Sequence, residues 1–248
     1  MANFGELQTQ VQDAIIDLPT VTINQIPNFI RQAIRKLQRK HNFKVMEAQS
    51  GLFTTTLHTR SIGAVPTNFK EFRGRPMEVS LQGRVRRLAI AQRNEEALAM
   101  FGWEVAGGGI DPATIAGRPM ALGVSPSSDE AGVYAFHVFP LPDGLSLFSG
   151  GEYRIVVPYY RYLTPLSAAG DTNWFTTNAE EWAVQQAAAF GFFHDHDEER
   201  GTLWTQRAAT EYKDILLADK YFRLSGFETL VPYMGAAGPF VDIPDTWR

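Results

Sequence analysis

The 248-residue chain carries no cysteine, which excludes disulfides, thiol nucleophiles and Cys-ligated metals together, and its 44% hydrophobic and 12% aromatic content is that of a folded globular protein. No apolar run approaches the roughly 20 residues of a membrane span, and Met1 to Glu6 lacks the basic and apolar regions of a signal peptide, so synthesis in the cytoplasm is the expectation. The net charge of −4 is unevenly divided: residues 1–100 hold 14 Lys or Arg against 8 Asp or Glu, and residues 101–248 hold 9 against 19, an asymmetry able to steer unlike surfaces together.

Along the chain, a first helix is predicted over Phe4 to Ile16, with Leu7, Val11, Ala14, Ile15 and Leu18 as its apolar face. After the connection LPTVTI, the segment from Asn24 to His41 reads as an amphipathic helix with Asn24 as its N-cap and Pro27 near its start. At about 100° per residue, Ile26, Phe29, Ile30, Ala33, Ile34 and Leu37 fall in one apolar arc. Arg31, Arg35 and Arg39 form an opposite stripe, and no Asp or Glu lies between Leu18 and Met46. That stripe is either a solvated face or a surface for an anionic partner.

After Phe43 the texture turns to sheet. GLFTTTLHTR alternates, RPMEVSLQG and RVRRLAI read as two strands joined near Gln82 and Gly83, and NEEALAMFGW reads as a short helix capped by Asn94. Residues 105–118 are Gly-rich and predicted to be an exposed loop. Strands are predicted at 133–140 and 152–163, with an edge or bulge at Pro158, which has no N–H for a ladder.

A helical hairpin follows. Thr177 and Glu180 have capping-box spacing; Trp182, Gln185, Ala189, Phe192 and Phe193, then Trp204, Ala208, Tyr212, Ile215 and Leu216, supply apolar faces, and both Trp182 and Trp204 are expected to be buried. Beyond Leu224 the chain is broken by Pro and Gly yet rich in apolar anchors, which predicts an extended arm. These elements make an α+β fold: an α-helical bundle of N-terminal helices and C-terminal hairpin, an inserted antiparallel β region, and an extended C-terminal arm. They divide into one compound domain, residues 1–224, with helices over 4–42 and 178–219 and the β-rich insertion over 50–163, and an arm over 225–248.

No catalytic, cofactor or metal site is expected. His194 and His196 stand at i and i+2, about 200° apart on a helix, and read with their acidic neighbours as a polar turn. Glu180, Glu181, Glu198 and Glu199 read as first-turn acids facing helix dipoles. Gly107 to Gly109 lacks the Lys-Ser/Thr of a phosphate-binding loop, and no GxSxG elbow occurs. The expected role is therefore assembly and not enzymatic chemistry.

The order of segments carries a resemblance: a first helix ending in Leu18-Pro19, then INQIPNFIRQAIRKLQR with FKVMEAQ after it, VPTNFKEF at 65–72, VFPLPDG at 138–144, YRIVVPYYRYLTPLS, and the hairpin from Trp182 to Tyr221. This order resembles the head-to-tail adaptor, or connector, proteins of tailed bacteriophages, especially those with short tails. The resemblance implies a homo-oligomeric ring, commonly a dodecamer, at the head–tail junction of the virion. It would lie between portal protein and tail or nozzle proteins, around a passage for double-stranded DNA read without sequence specificity, with no membrane partner. It also implies that the arm, through Phe227, Leu230, Val231, Tyr233, Phe240, Ile243 and Trp247, docks on the portal, and that Arg31, Arg35 and Arg39 face an assembly surface or the DNA channel. The rival expectation is a tail or capsid-decoration protein contacting another virion component or a host surface.

Overall fold

The computed structural model describes residues 2–91, 116–126, 133–146 and 148–228. The chain is mixed α and β and separates into two compact units, a helical one of residues 1–45 with 164–248 and a strand-built one of residues 46–163. The predicted helix at Asn94, most of the Gly-rich loop and the arm beyond Glu228 lie outside the described residues.

In the helical unit, α1 (Phe4–Ala14) begins at a capping box in which the Asn3 side chain accepts from the Glu6 N–H and the Glu6 carboxylate accepts from the Asn3 N–H. Its face of Leu7 and Val11 is buried, and Ile15 and Leu18 continue it past the helix end. The connection then coils into a single turn, α2 (Thr20–Ile23), which takes Asn24 as its C-cap. The N-cap of α3 (Ile26–Lys40) is therefore Gln25 and not Asn24, and Pro27 sits in its first turn. All six residues of the predicted apolar arc of α3 are buried.

The capping box predicted at Thr177 is displaced. Asn173 caps α4 (Trp174–Asn178), accepting from the Phe175 and Thr176 N–H groups while the Thr176 hydroxyl accepts from the Asn173 N–H. Ala179, with φ −137°, breaks the helix, and α5 (Glu180–His194) starts afresh. This helix packs against α1, α3, α4 and α6 (Glu198–Glu228). A helix with neighbours on several sides needs small residues: Ala187, Ala188 and Ala189 are buried, and a Cβ on Gly191 would stand 3.2 Å from the Ile15 side chain. Trp182 is buried, but Trp204 is only half-buried, stacked at 6.4 Å on Phe192 with the Arg207 guanidinium over it, and Phe193 is exposed. Helix α6 continues past the expected end at Asp219 to Glu228, carrying Ser225, Gly226 and Phe227 in its last turns.

The strand unit is built from short strands in four sheets. One sheet orders as β2 (Phe53–Thr54), β12 (Arg154–Val156), β5 (Met77–Val79) and β6 (Val85–Arg87); the last two form the predicted hairpin, with Gly83 at φ +75° in its turn. A second orders as β3 (Ser61–Ala64), β10 (Tyr134–Phe139), β9 (Ala121–Pro126) and β7 (Ala89–Ala91). A third places β13 (Pro158–Arg161) between β1 (Glu47–Gln49) and β4 (Phe69–Phe72), and a fourth pairs β11 (Leu141–Pro142) with β8 (Ala116–Gly117). Two pairings, β7 with β9 and β11 with β8, are parallel, so the region is not wholly antiparallel as expected. Pro158 lies on a central strand and not on an edge: it opens β13 directly after buried Val157, where the chain leaves one sheet for another, paired with Gln49 of β1 and accepting from the Arg73 N–H. Phe136, Leu88, Leu122 and Ile155 form the core, enclosed by Phe53, Phe69 and Phe72.

Candidate interaction site

Helix α3 turns its apolar arc inward, so its polar residues are presented on the other side. Between that side and α5 lies a groove of about 650 Å³ lined by Gln32, Arg35, Lys36, Arg39, Lys40 and Phe190. At about 100° per residue, the five α3 residues span an arc of about 140° centred between Gln32 and Lys36. Among the described residues that line it, four of six are basic and none is acidic.

The groove is anchored to the helices behind it. The Lys36 ammonium donates to Gln186 Oε1 at 3.0 Å and lies 5.3 Å from the Phe190 ring, while the Lys40 ammonium sits 4.5 Å over Tyr212. Burial, and then repulsion from Lys40, hold the Lys36 ammonium below the usual lysine range. Gln186 is buried, and its Nε2 has no partner among the described residues.

The predicted stripe divides. Arg35 and Arg39 line the groove, but Arg31 does not. Its Nε donates to the Leu166 carbonyl at 2.7 Å, its Nη1 to Asn28 Oδ1 at 3.2 Å, and its guanidinium covers the Phe4 ring at 5.3 Å. Arg31 ties α1, α3 and the segment entering α4 together, and replacing it would disturb packing as well as charge. Lys36 and Lys40 were missed because a stripe at i, i+4, i+8 follows one ridge, whereas a groove between two helices is lined by two adjacent ridges. Their signal was present in the same acid-free run. Of the predicted arm residues, Phe227 belongs to α6, and Leu230, Val231, Tyr233, Phe240, Ile243 and Trp247 lie outside the described residues.

Two buried carboxylates, neither singled out from sequence, hold structure together. Asp219 accepts from the Lys44 N–H at 2.8 Å, from Arg223 Nε at 2.8 Å and meets His41 Nε2 at 3.1 Å. Burial works against its charge, yet these hydrogen bonds outweigh it and hold the carboxyl below the usual range. In the strand unit, Glu78 is clasped by Arg86 at 2.7 Å and Arg118 at 2.8 Å, with Arg86 also donating to the Pro119 carbonyl. A hollow of about 110 Å³ beside Glu78, Arg118 and Tyr153 is thus lined by charges already satisfied by one another. Tyr153 donates to Asp143 Oδ1 at 2.6 Å, and burial with that bond pushes its phenol up.

The acidic turn after α5 behaves as a polar connection. His194 packs on Phe29 and contacts the Thr22 hydroxyl, and Asp197 accepts from the Arg200 N–H at the start of α6. Among the described residues, no group of three or more His, Asp or Glu side chains is placed to hold a metal, and no helix is long and apolar enough to cross a membrane.

Compared with known families, the model described as SU10 adaptor protein matches residues 2–226. No curated protein matches the chain.

Proposed function

This chain belongs to the SU10 adaptor protein family of phage adaptor proteins, and from that premise we propose that it forms a ring between portal and tail around the DNA exit path. The coarser role, a structural component of the virion that interacts with other head and tail proteins, comes with the family. The observation that carries the ring reading is the extent of the match, which takes in both the helical and the strand-built unit and ends near the close of α6. The basic groove of α3 supports it as an assembly surface or a wall of the DNA passage. The segment after α6, with Leu230, Val231, Tyr233, Phe240, Ile243 and Trp247, is the docking arm in this reading. Its apolar side chains would bury area on a partner at about 25 cal/mol per Å² before ordering costs.

The test is a mass measurement of the chain alone, of purified portal protein, and of the two together. Several copies of the chain on each portal, seen as a ring by microscopy, is the expected result. A chain that never joins portal under any salt condition would overturn the ring reading. Arg35→Glu with Arg39→Glu, leaving Arg31 in place, should weaken joining in a salt-dependent way.

A further inference from the structure

The basic groove on α3 has a counterpart at the other end of the same pair of helices. Phe29 meets His194, whereas Lys36, further along α3, meets Gln186 and Phe190, so α3 and α5 run in opposite directions. The turn after α5 therefore lies beyond the first half of α3, and the groove cations lie along its second half. That turn and the first residues of α6 expose Asp195, Glu198 and Glu199. Six to eleven residues of α3 separate Phe29 from Arg35 and Lys40, an axial distance of about 9–16 Å. This exceeds the screening length of about 8 Å at physiological salt. At that spacing the two clusters of one copy are largely screened from each other.

We infer that the groove of one copy receives the acidic turn of a neighbouring copy, forming a head-to-tail contact between different faces of the same chain. The inference rests on the ring reading above and supplies its contact. Two observations favour a second copy as the occupant. The groove carries Arg35, Lys36, Arg39 and Lys40 and no acid among the described residues that line it, and the turn carries an excess of carboxylates over its one cation, Arg200. Burial first, and then repulsion from Lys40, hold Lys36 below its usual range; the two ammonium groups lie close enough to repel, and an incoming carboxylate offsets that repulsion. Two unlike patches on one chain give a heterologous interface, the kind that closes into rings when the rotation permits.

The test exchanges the charges. One variant carries Arg35→Glu and Arg39→Glu; the other carries Asp195→Lys and Glu199→Lys, sparing the Asp197 that caps α6. Each alone should lose self-association by about tenfold or more, measured by sedimentation at low salt. Mixed together they should regain it, because the reversed groove fits the reversed turn and the two native faces fit each other. The absence of native cysteine permits a second measurement that does not depend on charge. The full chain with Gln32→Cys and Glu199→Cys should give a ladder of dimers, trimers and larger species on oxidation, whereas either single variant stops at the dimer.

A mixture no better than its parts, with no ladder, overturns the contact even if many copies assemble on portal, in which case the ring reading stands without it. A ladder and charge rescue without assembly on portal supports the contact and removes the ring reading. Loss of duplex-DNA binding in the groove variant, unrestored by the turn variant, would make the groove a nucleic-acid surface and would likewise overturn the contact.

Discussion

In the helical unit, long helices bury residues that are regularly spaced in sequence; in the strand unit, strands of two to six residues bury aromatic rings gathered from distant segments. Ile26, Phe29, Ile30, Ala33, Ile34 and Leu37 form one periodic face of one helix. The core around Phe136 joins β10 to Phe53 at 5.5 Å, Phe69 at 5.7 Å and Phe72 at 6.0 Å, residues drawn from two other strands. The difference teaches that a periodic core is specified locally, whereas the strand core depends on pairing across long sequence separations. Each unit also uses one buried carboxylate as a clasp, Asp219 among helices and Glu78 among strands.

The comparison is tested most severely by deleting one large side chain from each core. Phe136→Ala and Trp182→Ala should each cost about 3–5 kcal/mol in denaturant unfolding. Hydrogen exchange followed peptide by peptide should show the first loosening strand peptides and the second loosening helical ones. Equal loosening of both units by either variant would mean that their cores act as one.

The carboxylate clasps come next. Asp219→Ala leaves Arg223 and His41 without their acceptor; both are partly exposed and can turn to water, which limits the cost to about 2–3 kcal/mol. Because the folded pKa of Asp219 is depressed, its contribution is fully present above the unfolded carboxylate value of about 3.9 and is lost as pH falls through the lower folded value. Acid titration of stability should therefore be shallower in Asp219→Asn than in the parent chain. Glu78→Gln should cost less, about 1–2 kcal/mol, since Arg86 and Arg118 are 37% and 50% exposed and keep much of their hydration. A loss at Glu78 larger than that at Asp219 would reverse the proposed ranking of the two clasps.

The smallest effect is expected at a local signal. Asn3→Ala removes the cap of α1 and should lower stability by about 1 kcal/mol, with Asn3→Asp restoring most of it. The Asn3-x-x-Glu6 spacing was visible in the sequence, as was Asn173 before Thr176, yet Thr177 with Glu180 has the same spacing and caps nothing. Spacing identifies candidates for a cap; the break at Ala179 decides which one is used.

The sequence by itself determined the longer helices and the buried arc of α3, the 77–87 hairpin, the strand at 134–139 and the acid-free basic run on α3, because each depends on periodicity or turn chemistry within a short window. The segment order likewise pointed to phage adaptors, in agreement with the family match. Tertiary structure decided the rest. It separated Arg31, fastened to Leu166 and Phe4, from Arg35 and Arg39 in the groove, and brought Lys36, Lys40 and Phe190 to that groove. It also placed Pro158 on a central strand and assembled the Asp219 and Glu78 clasps. His41 and Asp219, like Glu78 and Arg118, are far apart along the chain, and no local pattern records which buried charge a distant cation will meet. That choice follows from the packing that removes water from the carboxylate and leaves the cation as its partner.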